Sequence, residues 1–586
     1  MESKQDGYLA SVCIYKELIE LIQAKQDQEN KAQQEKRIQW LRSQVIGSHA
    51  EFDTPFGKRM LTYADHTATG RCLLYIEDFI LRKVLPFYGN THTSDSFVGS
   101  NTTKMVQEGM MYIKKCMGAG QDDALIFSGA GATAGIKRLQ EVMGVAIPST
   151  MREKVVKKLR DEERWVVFVG PYEHHSNLLS WRQSTVEVVE IGADDDGLID
   201  IGALKQELMS SKYAKRPMLG SFSACSNVTG ILTNTRALAR LLHKHGAFAC
   251  FDFATSGPYV ELDMKPGEED GYDAVFLSPH KFIGGPGSPG MLLINKALYK
   301  LKSSPPSTCG GGTVNYVNGF NEQDTLYNED IEEREHAGTP PIIQTIKAAM
   351  AFWVKNFIGF QLISFHETIY TELALNVLLS NPNIRILGNN KVKRLPIISF
   401  LVFPSSSTVN GEKPLHCRFV AKLLNDLFGI QGRGGCACAG PYGHRLLGID
   451  EKLSLALRSA IQKGYSGLKP GWTRISFSYY MSREEWAFVL ASIEFIASYG
   501  HLFLPLYEFD WITGDWTFKK RMKKLEGFVE LRAINSSSTT NGERKDRDVF
   551  MKYLFAAEDF ALSLSGDICP GFVPADIDPS LILFRI

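Results

Sequence analysis

The stretch Ser278-Pro279-His280-Lys281-Phe282-Ile283-Gly284-Gly285-Pro286-Gly287-Ser288-Pro289-Gly290 is a polar turn with a single lysine, and it runs into the apolar segment Met291-Leu292-Leu293-Ile294. A lysine beside a histidine and ahead of a glycine-rich loop suits an aldehyde cofactor. It offers an amine to form the imine, neighbours that bind phosphate, and a backbone able to approach a ring closely. Most Ser-x-His-Lys strings are ordinary surface turns, so the reading depends on what lies upstream.

Upstream, Phe248-Ala249-Cys250-Phe251-Asp252-Phe253 reads as a buried strand with an acid near its carboxyl end. Ligands of open α/β sheets bind beyond the carboxyl ends of the strands, and a carboxylate there can keep a ring nitrogen protonated. Asp252 is the expected residue for that task; an aspartate that merely begins a turn is the plainer alternative. Farther upstream, Ser128-Gly129-Ala130-Gly131-Ala132-Thr133-Ala134-Gly135 follows the strand-like Ala124-Leu125-Ile126-Phe127 and opens the helical pattern Ile136-Lys137-Arg138-Leu139-Gln140. A glycine-rich turn at a helix N-terminus is a ready phosphate site. It lacks the lysine of a Walker loop, which disfavours a nucleoside triphosphatase.

Strand and helix patterns alternate between about 65 and 300. Trp165–Val169, Val186–Ile191 and Ala274–Leu277 are strand-like, and a helix starting near Thr235 carries Ala237, Leu238, Leu241 and Leu242 on one face before Gly246 stops it. This alternation predicts an α/β fold with a mostly parallel sheet covered on both faces. Beyond about 340 the pattern changes to a helix over 342–357, strands around 395–403 and 472–478, and a helix over 417–427. Ser482 with Glu485 forms a capping box ahead of another helix. The expected organisation is an N-terminal helical extension (1–55), a large cofactor-binding domain (56–320), a smaller α+β domain (321–500) and an extension of unassigned role (501–586). The first extension reads as an arm packed on the small domain, and 535–542 in the last reads as a linker.

With these motifs in register, the chain resembles the pyridoxal-phosphate enzymes of the class V aminotransferase group, and within it the cysteine desulfurase and selenocysteine lyase family. The resemblance runs from Tyr63-Ala64-Asp65-His66-Thr67-Ala68-Thr69 to Arg474-Ile475-Ser476. It implies the type I fold of pyridoxal-phosphate transferases. Glu173-His174-His175-Ser176-Asn177 is similar to the family's Glu-His-His-Ala-Asn, making His174 the ring-stacking histidine. Ser226-Asn227-Val228-Thr229-Gly230 sets Asn227 at the phenolic oxygen. Lys281 is then the Schiff-base lysine, and Ser278, His280, Ala132 and Thr133 hold the phosphate. Gly310-Gly311-Gly312-Thr313 resembles a loop that completes the phosphate site across a two-fold dimer.

Gln431-Gly432-Arg433-Gly434-Gly435-Cys436-Ala437-Cys438-Ala439 decides the chemistry, because the family's Arg-x-Gly-His-His-Cys-Ala places its nucleophile at Cys438 and its arginine at Arg433. Arg474 is implied to pair with the substrate carboxylate. The Arg-x-Gly-Cys-x-Cys form is also similar to the aminotransferase-like half of molybdenum cofactor sulfurases, whose second catalytic module could not fit in the 86 residues that follow position 500. The resemblance implies transfer of sulfur from L-cysteine to an enzyme cysteine, release of L-alanine, and a sulfur-acceptor protein. Two departures bear on this. Thr255 stands where the family has glutamine, and Cys436 and Ala437 replace the paired histidines. A carbon–sulfur lyase or epimerase acting on another amino acid, or a cofactor-binding scaffold without turnover, are the alternatives. Cys436 either resolves the persulfide or packs as a small apolar group.

Formal net charge is zero over 586 residues, so composition gives no electrostatic case for nucleic acid or an anionic membrane. The ten cysteines show neither a disulfide framework nor the clustered spacing of a zinc site, and they read as reduced thiols. No apolar run is read as approaching the ~20 residues that span a bilayer, and the N-terminus shows neither signal nor transit character. The cytoplasm is the expected compartment.

Overall fold

The computed structural model describes residues 10–27, 32–321, 323–404, 413–519, 542–564 and 572–586. Cys569 and the linker-like run from 535, save Gly542, lie outside them.

The large domain is built on a seven-stranded sheet. In chain order its strands are β1 (Asp123–Ser128), β2 (Val166–Val169), β3 (Glu187–Glu190), β4 (Met218–Ser223), β5 (Phe248–Asp252), β6 (Ala274–Leu277) and β7 (Gly290–Asn295). They lie in the order β1-β7-β6-β5-β4-β2-β3. Only β7 runs against its neighbours; β6, β5, β4, β2 and β3 pair in parallel. The sheet is therefore mostly parallel. All four residues of Val166-Val167-Phe168-Val169 are buried, as a strand covered by helices on both faces requires.

The smaller domain carries an antiparallel sheet of β8 (Ile384–Ile386), β9 (Ile397–Val402), β10 (Arg433–Gly435) and β11 (Trp472–Ser476), in the order β8-β9-β11-β10. Helix Arg483–Tyr499 packs behind it. Ser482 accepts from the Glu485 amide at 3.0 Å, and the Glu485 carboxylate accepts from the Ser482 amide at 2.9 Å, which closes the capping box.

Two features depart from the sequence reading. The helical stretch Arg483–Leu506 is long and apolar enough to cross a membrane, with mean hydropathy 1.6, although no run of that length was read from the sequence. It is 78% buried, and its apolar character serves the small-domain core. Helices Ile342–Ile358 and Phe360–Ser380 pass the same test only as a pair, and they bend by 78° at Gly359.

Helix Ile342–Ile358, placed by the sequence boundary in the small domain, packs on the large one. Phe352 stacks on Phe282 at 4.8 Å, and Lys355 Nζ donates to Gly257 O at 2.7 Å. The terminal extensions are built into the small domain: Tyr15 and Ile22 near the N-terminus join Phe503, Tyr507, Trp516, Phe550 and Leu554 in one core with Trp486 and Phe488.

Candidate active site

The carboxyl ends of β4, β5 and β6 and the N-terminus of helix Gly131–Val142 surround a cavity of about 210 Å³. Lys281 sits in it on a single helical turn, Pro279–Lys281, that follows β6. The residues from Ser278 to Lys281 thus emerge where an open α/β sheet presents ligand groups. Asp252, the last residue of β5, lines the same space. Burial pushes Lys281 down to about 8, and Asp252 pulls the other way. Burial raises the Asp252 carboxyl, while the Ala254 amide, donating at 2.8 Å, and Lys281 draw it back.

At the opposite end, Ala130 gives helix Gly131–Val142 no side-chain cap, leaving the first amides to other partners. Ser278 Oγ takes one of them, accepting from the Ala132 amide at 2.8 Å. Gly131 is required here. Its φ of +58° is left-handed, and a Cβ would lie 2.9 Å from Ser278 Oγ. Thr133 shares a hydrogen bond with Ser176 at 2.6 Å, and His280 one with Thr69 at 3.2 Å. Small hydroxyl side chains, exposed amide donors and the positive end of a helix dipole form a cradle that fits a phosphate.

His174 lines the cavity while its Nδ1 accepts from the Ser176 amide at 3.1 Å, capping helix His175–Arg182. Burial holds it down to about 4, so its ring is neutral and able to lie against an aromatic ligand. Asn227 Nδ2 donates to Ala437 O at 2.7 Å, and its buried Oδ1 finds no partner among the described residues. The amide therefore has one hydrogen left for a ring oxygen. Thr255, in the place of the family's glutamine, also lines the cavity. Thr313 does not. It is fully buried in its own chain, and its hydroxyl donates to Gly310 O at 2.8 Å.

Arg433 and Arg474 both engage Asp65. Arg433 is held side-on by Asp65, with Nε to Oδ2 at 2.8 Å and Nη2 to Oδ2 at 2.6 Å. Arg474 donates to Asp65 Oδ1 at 3.1 Å and to Asn227 O at 2.8 Å, and only its buried Nε lacks a partner among the described residues. Asp65, although quoted in the sequence motif, was given no role there. Glu173 was also passed over. It accepts from the Gly170 and Ser223 amides, the Ser223 hydroxyl at 2.6 Å and Asn177 Nδ2 at 2.7 Å, and burial pushes it up to about 7. It ties together the carboxyl ends of β2 and β4.

Cys438 is exposed and sits on a strained turn. Ala437 and Cys438 both have left-handed backbone, φ +49° and +56°, and the Ala439 amide closes the turn on Cys436 O at 3.1 Å. Cys436 is half-buried, packs against the large-domain core, and forms no disulfide. No group of three or more His, Cys, Asp or Glu able to hold a metal occurs among the described residues.

A mostly parallel sheet with a half-buried lysine that shares a cavity with an aspartate and a helix N-terminus defines the class, and the sequence profile of the Aminotransferase class-V family matches residues 62–487. The chain belongs to that family. It is similar to a probable cysteine desulfurase of Staphylococcus epidermidis, 26% identical over 403 residues that cover 68% of this chain and 87% of the other. A probable cysteine desulfurase of Streptomyces coelicolor is 24% identical over 389 residues, 65% of this chain and 84% of the other. The apo structure of a cysteine desulfurase from Thermococcus onnurineus NA1 superposes with a TM-score of 0.60 at 22% identity, covering 78% of this chain and 98% of that one. The cysteine desulfurase CsdA of Escherichia coli gives 0.57 at 20% identity, covering 78% and 98%.

Proposed function

We propose that this chain is a cysteine desulfurase-like enzyme that binds pyridoxal 5′-phosphate and moves sulfur from L-cysteine onto Cys438, releasing L-alanine. The observation that carries the reading is that Asn227, in the wall of the Lys281 cavity, also holds the Cys438 turn through Ala437 O at 2.7 Å. Lysine site and thiol thus form one constellation. The cradle at Gly131–Thr133, Ser278 and His280 would hold the phosphate, Asp252 the ring nitrogen, Asn227 the ring oxygen and His174 the ring face. Lys281 would hold the aldehyde carbon. Bound there, pyridoxal phosphate supplies an electron sink for charge developing at the substrate's α-carbon.

The chain's own groups account for the rest. Lys281, lowered to about 8, has a sizeable neutral fraction near neutral pH and accepts a proton at Nζ. Arg474 offers its unpartnered Nε–H to the substrate carboxylate. Arg433 braces the Asp65 carboxylate, which in turn holds Arg474, instead of reaching the substrate itself. The Cys438 thiolate takes the substrate's sulfur: the Cβ–S bond breaks as the S–S bond forms. L-cysteine and one thiolate give L-alanine and one persulfide anion, so no outside oxidant is needed.

The test is product analysis. Protein loaded with pyridoxal phosphate should release alanine from L-cysteine, and sulfide when a thiol reductant strips Cys438; Cys438→Ser should abolish both. Alanine release by Cys438→Ser equal to the parent would overturn the assignment. Turnover of another amino acid without sulfur on Cys438 would favour a lyase or epimerase, a reading that Thr255 and the missing histidines support.

We infer further that two copies associate and that the persulfide passes to an acceptor protein. Exposed Leu81, Phe87, Tyr88 and Phe97 support association, as does the open space beside Gly311 in the loop before Thr313. The buried Thr313 hydroxyl makes the glycine backbone the better candidate to reach across. A monomer in sedimentation that retains tight cofactor binding would refute this. A cytoplasmic setting is supported by nine cysteines that are free among the described residues.

A further inference from the structure

The Cys438 turn is held in place from outside itself. Residues with side chains seldom adopt left-handed backbone, and two in succession persist only where the surroundings over-determine them. Three hydrogen bonds do so here. One is the Asn227 bond to Ala437 O. Both others come from His175: its amide donates to Cys438 O at 2.8 Å, and its Nε2 accepts from the Gly440 amide at 2.9 Å.

Gly440 is the first residue of helix Gly440–Leu447, and Ala439 before it supplies no side-chain cap. The His175 imidazole therefore satisfies an amide that the helix leaves unpaired, and it fixes the helix start two residues after the thiol. An accepting Nε2 requires a neutral ring with its proton on Nδ1, and burial lowers the His175 pKa, which favours that form. The approach is close: a Cβ on Gly440 would lie 3.2 Å from Nε2.

We propose that His175 is a positioning residue, a latch from the large domain that holds the Cys438 turn closed over the lysine cavity by gripping the chain on both sides of the thiol. The inference deepens the reading of Cys438 as sulfur acceptor, which His175 serves through the loop and without contact to the substrate. Gln at 175 can accept from the Gly440 amide as His does, whereas Ala cannot. The side chain is the part of the latch a substitution removes, because the backbone amide of residue 175 remains.

The test is hydrogen exchange by mass spectrometry on the full-length protein, with and without pyridoxal phosphate, together with the rate of Cys438 alkylation by iodoacetamide. In His175→Ala, exchange of the 438–440 amides should rise about tenfold or more, because local opening sets that rate. His175→Gln should return it close to the parent. Gly440→Ala, which crowds the imidazole from the other partner, should behave like His175→Ala and serves if that variant does not fold.

With L-cysteine, His175→Ala should slow single-turnover persulfide formation by up to about 10²-fold while KM changes little, since a displaced nucleophile loses attack geometry and not binding. Unchanged loop exchange in both His175→Ala and Gly440→Ala, or an equal rise in His175→Ala and His175→Gln, would overturn the latch. The exchange and alkylation readouts need no turnover. A failure of the latch is thereby separable from a failure of the desulfurase reading.

Discussion

Lys281 is the residue on which the chemistry rests, and its environment makes its titration measurable. Burial brings it down to about 8, and Asp252 opposes that shift. Only the neutral amine attacks an aldehyde, so the rate of pyridoxal phosphate incorporation should climb as pH rises through about 8 and level off above it. An ordinary lysine would keep accelerating toward ~10.4. Asp252→Asn removes the largest contribution that raises the Lys281 pKa, so the inflection should move lower. Stopped-flow absorbance against pH checks both, and an inflection above ~10 in the parent would contradict the burial argument. Lys281, Asp252 and Ser278 were legible in the sequence because each lies in a short motif whose strand and turn are written in adjacent residues. Asp65 was not, since its meaning comes from Arg433 and Arg474, which lie 368 and 409 positions farther along the chain.

Two helix starts in this fold do different work. At Gly131 the helix end is left open to a ligand, and Gly131→Ala brings both left-handed strain and a Cβ 2.9 Å from Ser278 Oγ. Pyridoxal phosphate affinity, read by fluorescence titration of the apo chain, should fall by at least roughly tenfold, equivalent to ~1.4 kcal/mol. At Ser482 the helix end is closed by its own capping box, so Ser482→Ala should cost about 1 kcal/mol in denaturant unfolding and leave the cofactor site untouched. The box was readable from Ser482 and Glu485 alone, and β2, β5 and β6 from their unbroken apolar runs. The helix Phe97–Cys116 was not read, because its first turns (Gly99, Ser100, Asn101, Thr102, Thr103) are poor helix formers, and tertiary contacts hold them in place. Strand β10 is Arg433-Gly434-Gly435, which has no strand pattern and is recruited by pairing with β11.

The Cys438 turn of the small domain is tied to the large domain where Asn227 Nδ2 donates to Ala437 O at 2.7 Å, and both extensions pack into the small-domain core. The alternation of strands and helices pointed to the large sheet, whereas the change of pattern after about 340 opens with helix Ile342–Ile358, which packs on the large domain. The role of residues 501–586 was hidden because their aromatic residues bury against partners far along the chain: Phe550 stacks on Phe488 at 4.2 Å, and Trp516 Nε1 donates to His416 Nδ1 at 2.9 Å. Phe550→Ala should therefore destabilise the protein by about 3–5 kcal/mol, read by denaturant unfolding. An effect under ~1 kcal/mol would show the extension to be peripheral. Whether the lysine cavity and the Cys438 turn act as one sulfur-transfer site can be read by incubating the cofactor-loaded protein with sulfur-labelled L-cysteine, quenching with an alkylating agent and mapping the peptides. One labelled sulfur should appear on Cys438 for each alanine formed, and none in Lys281→Ala; label on Cys436 in an active Cys438→Ser variant, or alanine formed with no label on Cys438, would overturn a joint site.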